Sequence, residues 1–453
     1  MSVQLHDPWS GLPSYRYEYD KLDVIESRLA DAAQAFPAWA RASITIRGQH
    51  LRALATTLRA QRESLASTVT ADMGKLRREA LAEIEKSAAA CDFYAGHAPA
   101  YLADQSIATE AARSYVCYEP MGAVLAVMPW NFPIWQVFRF LAPGLMAGNV
   151  ALLKHATQVP RCADAIAEIC RVAGLPDGVL GVLHMDNAST ARIIGDPRIA
   201  ALTLTGSERA GRSVAATAGQ HLKKCVLELG GSDPFVVLAD ADLDKVIPAA
   251  IASRFGNAGQ TCIAAKRFIV EEGIAERFVE ALVEASGRLL LGDPNDDATG
   301  LAPMARNELR DELHGQVLRS LAAGAQLLLG GVPAAGACGY PATILDGVTP
   351  GMPAYDDELF GPVASILRVR DATEALHVAN DTRFGLGASV WTENVEVGEV
   401  FARGVVAGAT FVNAPVRSDV RLPFGGAKQS GFGRELAAHG IVEFSNIKTV
   451  YVA

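Results

Sequence analysis

Apolar residues recur at helical spacing through the first hundred positions. Val24 to Phe36, Gln49 to Met73 and Ala80 to Ala95 each predict a helix with one buried face. Near Ser114 the texture changes. Tyr115 to Tyr118 reads as a short strand, and unbroken apolar runs follow at Ala123 to Trp130, Val150 to His155, Gly178 to Met185, Ile199 to Gly206 and Lys224 to Gly231. Helical segments separate them; one, Pro160 to Ala173, stops at Gly174 with Pro176 beyond. Continuous apolar strands joined by helical crossovers predict a parallel sheet covered on both faces. A second alternation runs through Pro234 to Asp240, a helix at Asp244 to Arg254, Arg267 to Val270, a helix at Ala275 to Leu290, Ala325 to Gly331, Ala364 to Val369 and Ala388 to Thr392. It predicts a second α/β lobe. Asn446 to Val452 has strand character at the tail, where a strand outside both lobes is suited to pairing with another subunit.

Composition narrows the function. At 453 residues the chain exceeds one ordinary core, and two or three domains of roughly 100–200 residues are expected. A formal net charge of −9 argues against a nucleic-acid partner, which needs a basic face. The most apolar stretch, Gly122 to Phe138, is interrupted by Pro129, Asn131 and Pro133, whereas a membrane span needs ~20 largely apolar residues. The opening MSVQLHDPWS has neither the basic nor the apolar region of a signal peptide. The 7 cysteines are scattered, odd in number and free of CxxC spacing, so no metal site is expected and a reducing cytoplasm is the simplest compartment.

Several residues have the types that chemistry needs. The strand ending at Thr205 runs into Gly206-Ser207-Glu208-Arg209-Ala210-Gly211, where a helix N-terminus can receive a pyrophosphate; an ordinary strand–turn–helix explains it equally. Cys262 follows Gly259 in GNAGQTC, and a lone cysteine is more often inert core than nucleophile. Glu228 in LELGG and Asn131 in PWNFP both fall at strand ends. A thiol, a carboxylate and a carboxamide at such ends can converge in a cleft. Taken singly, a salt bridge accounts for the glutamate and a turn for the asparagine.

Together these segments carry a resemblance. The motifs MPWNFP, LLKHA, TGSERAG, LELGGSDP, GNAGQTC, ELFGPV and PFGGAKQSGFGRE occur in an order and spacing that resemble the aldehyde dehydrogenase superfamily from near the N-terminus to the end. Within it, PWNFPIWQ, LLKHA, LELGGSDPF and the short length are most similar to bacterial succinate-semialdehyde dehydrogenases. The resemblance implies an α/β fold with a Rossmann-type cofactor lobe (1–103 and 119–229), an α/β catalytic lobe (230–435) and a small β oligomerisation arm (104–118 and 436–453). It implies a homodimer or homotetramer using NADP or NAD on a small aldehyde. Cys262 would be the nucleophile, Asn131 the oxyanion donor and Glu228 the base that activates the hydrolytic water. Lys154, Thr157, Gly206, Ser207, Glu358, Phe360 and Trp130 would line the cofactor.

Two positions depart from common family patterns. Thr157 stands where many NAD-selective members have a glutamate; without that carboxylate a 2′-phosphate is not repelled, so NADP is admitted. Gly256 stands where many succinate-semialdehyde dehydrogenases have an arginine. For a substrate carboxylate the resemblance and neighbouring sequence offer Arg139, Ser418 and Arg254. The rivals are a broad-specificity aldehyde dehydrogenase for uncharged aldehydes, an acylating dehydrogenase, against which Glu228 weighs, a cofactor-free thiol hydrolase, and a non-catalytic binding protein on the same fold.

Overall fold

A computed structural model describes residues 2–334 and 337–453. Two sheets carry the architecture. The first has six strands in the order Gly431–Phe432, Lys224–Glu228, Ile199–Thr205, Ala123–Met128, Val150–His155, Leu180–Val182, and all except the two-residue edge strand are parallel. The chain therefore starts in the middle, at Ala123–Met128, and winds outward in both directions. That reversal between Ala123–Met128 and Ile199–Thr205 opens a crevice at the strands' carboxyl ends, where doubly wound sheets bind their ligands. The second sheet has seven strands ordered Gln326–Leu329, Thr343–Asp346, Val363–Val369, Ala265–Glu271, Asp233–Val237, Gly387–Trp391, Ala409–Val412, antiparallel only at its first pair. The inner strands of both sheets, such as Val150–His155 and Asp233–Val237, are buried on both faces, as cover by helices requires.

Helices Leu22–Arg41, Ile44–Ala60, Arg62–Met73 and Arg77–Tyr101 form the predicted N-terminal group. The pattern from Gln49 to Met73 suggested one helix; the structure breaks it at Gln61, which leaves helical geometry at φ −104° and ψ 13°. Helix Trp135–Met146 is buried along its whole length, so it has no polar face for periodicity to detect. An N-terminal hairpin, Ser2–His6 with Pro13–Glu18, was not legible as strands.

A third sheet pairs Ser445–Val452 with Arg113–Pro120 in full register, and Gln105–Ser106 lies beyond. Two segments depart from the expected lobe boundaries. Gly431–Phe432 returns to the first sheet and pairs with Glu228 and Leu227, and helix Ala437–Glu443 packs on the helices of the first core. A two-residue strand and a seven-residue helix are too short to reveal which core they join. Among the described residues no helix is long and apolar enough to cross a membrane, and no cluster of His, Cys, Asp or Glu is arranged to hold a metal ion.

Candidate active site

The two sheets meet end to end across a cleft. The first contributes carboxyl ends: Trp130 and Asn131 follow Ala123–Met128, Gly206 and Ser207 follow Ile199–Thr205, and Glu228 closes Lys224–Glu228. The second contributes amino ends: Cys262 lies just before Ala265–Glu271, and Glu358 and Phe360 before Val363–Val369. All eight residues line one cavity of about 260 Å³.

The loop carrying Cys262 is held from several sides. Asn257 and Ala258 have φ of 53° and 52°, left-handed values that non-glycine residues adopt only when their surroundings impose them. The Asn257 N–H donates to Glu79 Oε1 at 2.9 Å, and its Nδ2 donates to the Asn131 carbonyl at 2.9 Å. Asn131 reciprocates, donating from Nδ2 to the Gln260 carbonyl at 3.0 Å. Asn131 is thus fixed against the nucleophile loop, with one amide hydrogen left to donate elsewhere. A Cβ on Gly259 would stand 2.3 Å from the Gly361 carbonyl, so this turn needs glycine for space as well as for its φ of 69°. Lys266 Nζ donates to the Cys262 carbonyl at 2.6 Å and sits 3.3 Å from Glu358 Oε1, which itself accepts from the Gly231 N–H at 3.1 Å. Burial pushes the Cys262 thiol up to about 11, against the opposing fields of Arg139 and Lys266.

Glu228 is buried, and neither carboxylate oxygen has a hydrogen-bond partner among the described residues. Desolvation holds its pKa well above the ordinary carboxylate range, partly opposed by Arg139. A Cβ on Gly425 would lie 2.8 Å from Oε1, so the glycine-rich segment after Pro423 leaves the carboxyl its space. An unpartnered carboxyl facing a cavity is free to exchange a proton with whatever enters.

Of the cofactor candidates, Trp130, Gly206, Ser207, Glu358 and Phe360 line this cavity. Ser207 caps helix Glu208–Gln220 by accepting from the Ala210 N–H at 3.3 Å, leaving that helix N-terminus open toward the cavity. Trp130 and Phe360 meet edge to face with centroids 5.8 Å apart. Lys154 and Thr157 lie outside this cavity, at the end of the neighbouring strand Val150–His155 and in the loop after it. Lys154 is buried without an ion pair among the described residues; burial lowers its pKa, and Asp186 opposes the shift. Tyr17 donates to the Thr157 carbonyl at 2.7 Å, so the N-terminal hairpin secures that loop. His155 is held down to about 4 by burial, and its Nε2 bonds the Pro133 carbonyl at 2.8 Å, tying the lysine-bearing strand to the PWNFP turn.

The three residues offered for a substrate carboxylate separate. Arg139 is buried, forms an ion pair with Glu435, donates to Thr205 Oγ1 at 3.0 Å and lies over the Phe424 ring. Arg254 is wholly buried and donates to the carbonyls of Ala265, Gly259 and Gly361 at 3.2, 2.7 and 2.6 Å. Neither guanidinium lines either cavity beside Cys262, which corrects the expectation for both: Arg139 is paired with Glu435 and Thr205, and Arg254 donates to three backbone carbonyls. Ser418 is buried, and its Oγ accepts from Lys86 Nζ at 2.6 Å. Lys86 lines a second cavity of about 330 Å³, together with Phe132, Trp135, Gly256, Thr261 and Ile263. Thr261 and Ile263 flank Cys262, so this cavity reaches the loop that carries the thiol.

Sequence reasoning missed Lys86, Glu83 and Glu435. Glu83 forms a buried ion pair with Lys75 and accepts the Ile134 and Trp135 N–H groups at 2.7 and 2.9 Å, capping the helix that starts at Trp135. Lys86 and Glu83 lie in a helical pattern whose charged positions read as solvated surface. GFGRE was visible as a motif, but nothing local shows that Glu435 pairs with a residue nearly three hundred positions earlier.

Residues 1–450 match the model described as the aldehyde dehydrogenase family. The chain is 49% identical over 445 residues to the succinate semialdehyde dehydrogenase [NAD(P)+] Sad of Escherichia coli (strain K12), covering 98% of this chain and 94% of that protein. It is 48% identical to a probable succinate-semialdehyde dehydrogenase [NADP(+)] of Synechocystis, with both chains covered in full (100% each). It superimposes with a TM-score of 0.97 and 36% identity on the succinic semialdehyde dehydrogenase of Streptococcus pyogenes in complex with NADP+, covering 99% of each chain.

Proposed function

Because this chain belongs to the aldehyde dehydrogenase family, we propose that it oxidises succinate semialdehyde to succinate with NADP or NAD. The observation that carries the reading is the convergence of Cys262, Glu228 and Asn131 on one cavity lined also by Gly206, Ser207, Glu358 and Phe360. The succinate-semialdehyde relatives support the substrate.

In this reading the Cys262 thiolate attacks the aldehyde carbon, forming a carbon–sulfur bond. The free amide hydrogen of Asn131 and the Cys262 backbone N–H stabilise the oxyanion. A nicotinamide held by the residues beside Cys262 would supply the hydride acceptor for that carbon. A thioester on Cys262 remains. Glu228 takes a proton from water, the resulting hydroxide adds to the thioester, and the thiolate leaves as the carboxylic acid forms. Burial raises both groups, and the Arg139 charge favours the ionised form of each. Lys154, Thr157, Gly206, Ser207, Glu358, Phe360 and Trp130 would hold the dinucleotide; Thr157, in place of a carboxylate, would admit a 2′-phosphate.

The enzyme also assembles as a homodimer or homotetramer through Ser445–Val452, an edge strand whose Ile447, Tyr451 and Val452 are exposed. It works in the cytoplasm, where its seven free cysteines stay reduced. The test is absorbance at 340 nm with enzyme, either cofactor and a panel of aldehydes. Succinate semialdehyde should give the highest kcat/KM, and Cys262→Ala should abolish turnover while retaining cofactor binding. Full turnover in that folded variant, or a preference for butanal over succinate semialdehyde, rejects the reading.

A further inference from the structure

The second cavity contains a cation that the proposed chemistry does not use. Lys86 Nζ reaches Ser418 Oγ at 2.6 Å and lies 4.2 Å from the centre of the Trp135 ring. It forms no ion pair among the described residues, although its helix carries Glu79, Glu83 and Glu85 close by. Each of these is engaged elsewhere: Glu79 with the Asn257 N–H, Glu83 with Lys75, and Glu85 with Arg59. An ammonium desolvated by an aromatic ring and a hydroxyl, with its helix's carboxylates taken, is an incomplete anion site. It has two further N–H donors, and Ser418 an acceptor–donor hydroxyl, to offer an incoming group. The cavity runs from Lys86 to Thr261 and Ile263, the immediate neighbours of Cys262, and Ser418 stands behind the ammonium through its hydrogen bond.

We propose that Lys86, together with Ser418, binds the distal carboxylate of the substrate and sets the preference for acidic over uncharged aldehydes. This rests on the aldehyde-oxidising reading of Cys262 and gives the site a polarity. The aldehyde carbon lies at the thiol and the acid end at Lys86. The other arginines near the site do not serve, since Arg139 and Arg254 are committed to Glu435 and to backbone carbonyls. Arg417, beside Ser418, is exposed, where water screens its charge.

Groups facing Lys86 set its pH range. Burial and Arg139 pull its pKa down to about 8, against Glu83 on its own helix, Cys262 on the nucleophile loop and Asp419 on the C-terminal loop. Glu79 lines the same cavity. Below about pH 8 the ammonium is charged and the carboxylate is held; above it the proton is lost and the attraction fades.

The experiment measures kcat/KM for succinate semialdehyde and for butanal on wild type, K86M and K86R. Methionine keeps the stem over Trp135 and removes the charge. The ratio of the two values should fall roughly ten- to a hundredfold in K86M, as expected for loss of a charge-assisted contact, and recover most of that in K86R. The inhibition constant of succinate, measured against butanal, should rise by a similar factor in K86M. In wild type the KM for succinate semialdehyde should climb above pH 8 relative to that for butanal. A ratio and a succinate constant unchanged in K86M overturn the lysine assignment while leaving the substrate reading intact. A wild type that prefers butanal overturns the substrate reading and the assignment with it.

Discussion

Replacing Arg139 with Met tests whether this arginine is an internal counter-ion. Its guanidinium and the Glu435 carboxylate are both nearly inaccessible, at 2% and 3% side-chain exposure, and Glu228 lies in the same field. Removing one partner of a buried pair leaves the other charge without compensation, a loss of about 3–5 kcal/mol. The hydrogen bond to Thr205 Oγ1 adds about 1 kcal/mol. Glu435 then relieves part of the strain by protonating, because its pKa, already raised by burial, loses the charge that opposes the rise. A buried carboxyl with a raised folded-state pKa binds more protons in the native state than in the unfolded one. Stability therefore falls as pH climbs above the unfolded value, and the R139M penalty should be smaller at pH 5 than at pH 8. Urea unfolding followed by fluorescence at both pH values would read this. The double variant R139M/E435L removes both charges and should recover at least half of the loss, since apolar replacement of a buried pair is close to neutral. Activity should fall on succinate semialdehyde and butanal alike, because Glu228 loses its counter-charge whatever the substrate. A destabilisation below about 1 kcal/mol, or a loss confined to the acidic aldehyde, would refute the reasoning and return Arg139 to the substrate.

Three further outcomes are expected. Alkylation of Cys262 by iodoacetamide, without cofactor, should accelerate about tenfold per pH unit from pH 7.5 to 9.5, since the thiolate fraction is small below a pKa of about 11; a plateau before pH 8 would show a thiol already activated. Glu228→Gln should release a burst of one reduced cofactor per site in rapid mixing and then turn over slowly, because the thioester waits for a base; steady turnover near wild type would remove Glu228 from that role. Thr157→Glu should shift the kcat/KM ratio toward NAD through repulsion of the 2′-phosphate, and an unchanged ratio would place that phosphate elsewhere.

Much of the fold follows from local pattern. Strands such as Val150–His155 and Asp233–Val237 are apolar on both faces because helices cover them, and that continuity is written in consecutive residues. The Cys262 loop, the Glu228 strand end and the PWNFP turn are each ambiguous alone, and only their joint order and spacing made them legible as a candidate site. The substrate side is different. Sequence left Arg139 open between a substrate carboxylate and an internal acidic partner, because that partner, Glu435, lies on a segment that the chain folds back onto the first sheet through the two-residue strand Gly431–Phe432. Arg254 stands two positions from Gly256, yet its direction is set by where the carbonyls of Gly259 and Gly361 fall. Lys86 resembled a solvated helix charge until packing placed Trp135 beneath it and Ser418 against it. Residue type and spacing determined which chemistry was present; which charges were neutralised was decided by contacts between positions far apart in the chain, since Coulomb energy and desolvation depend on distance and burial in space.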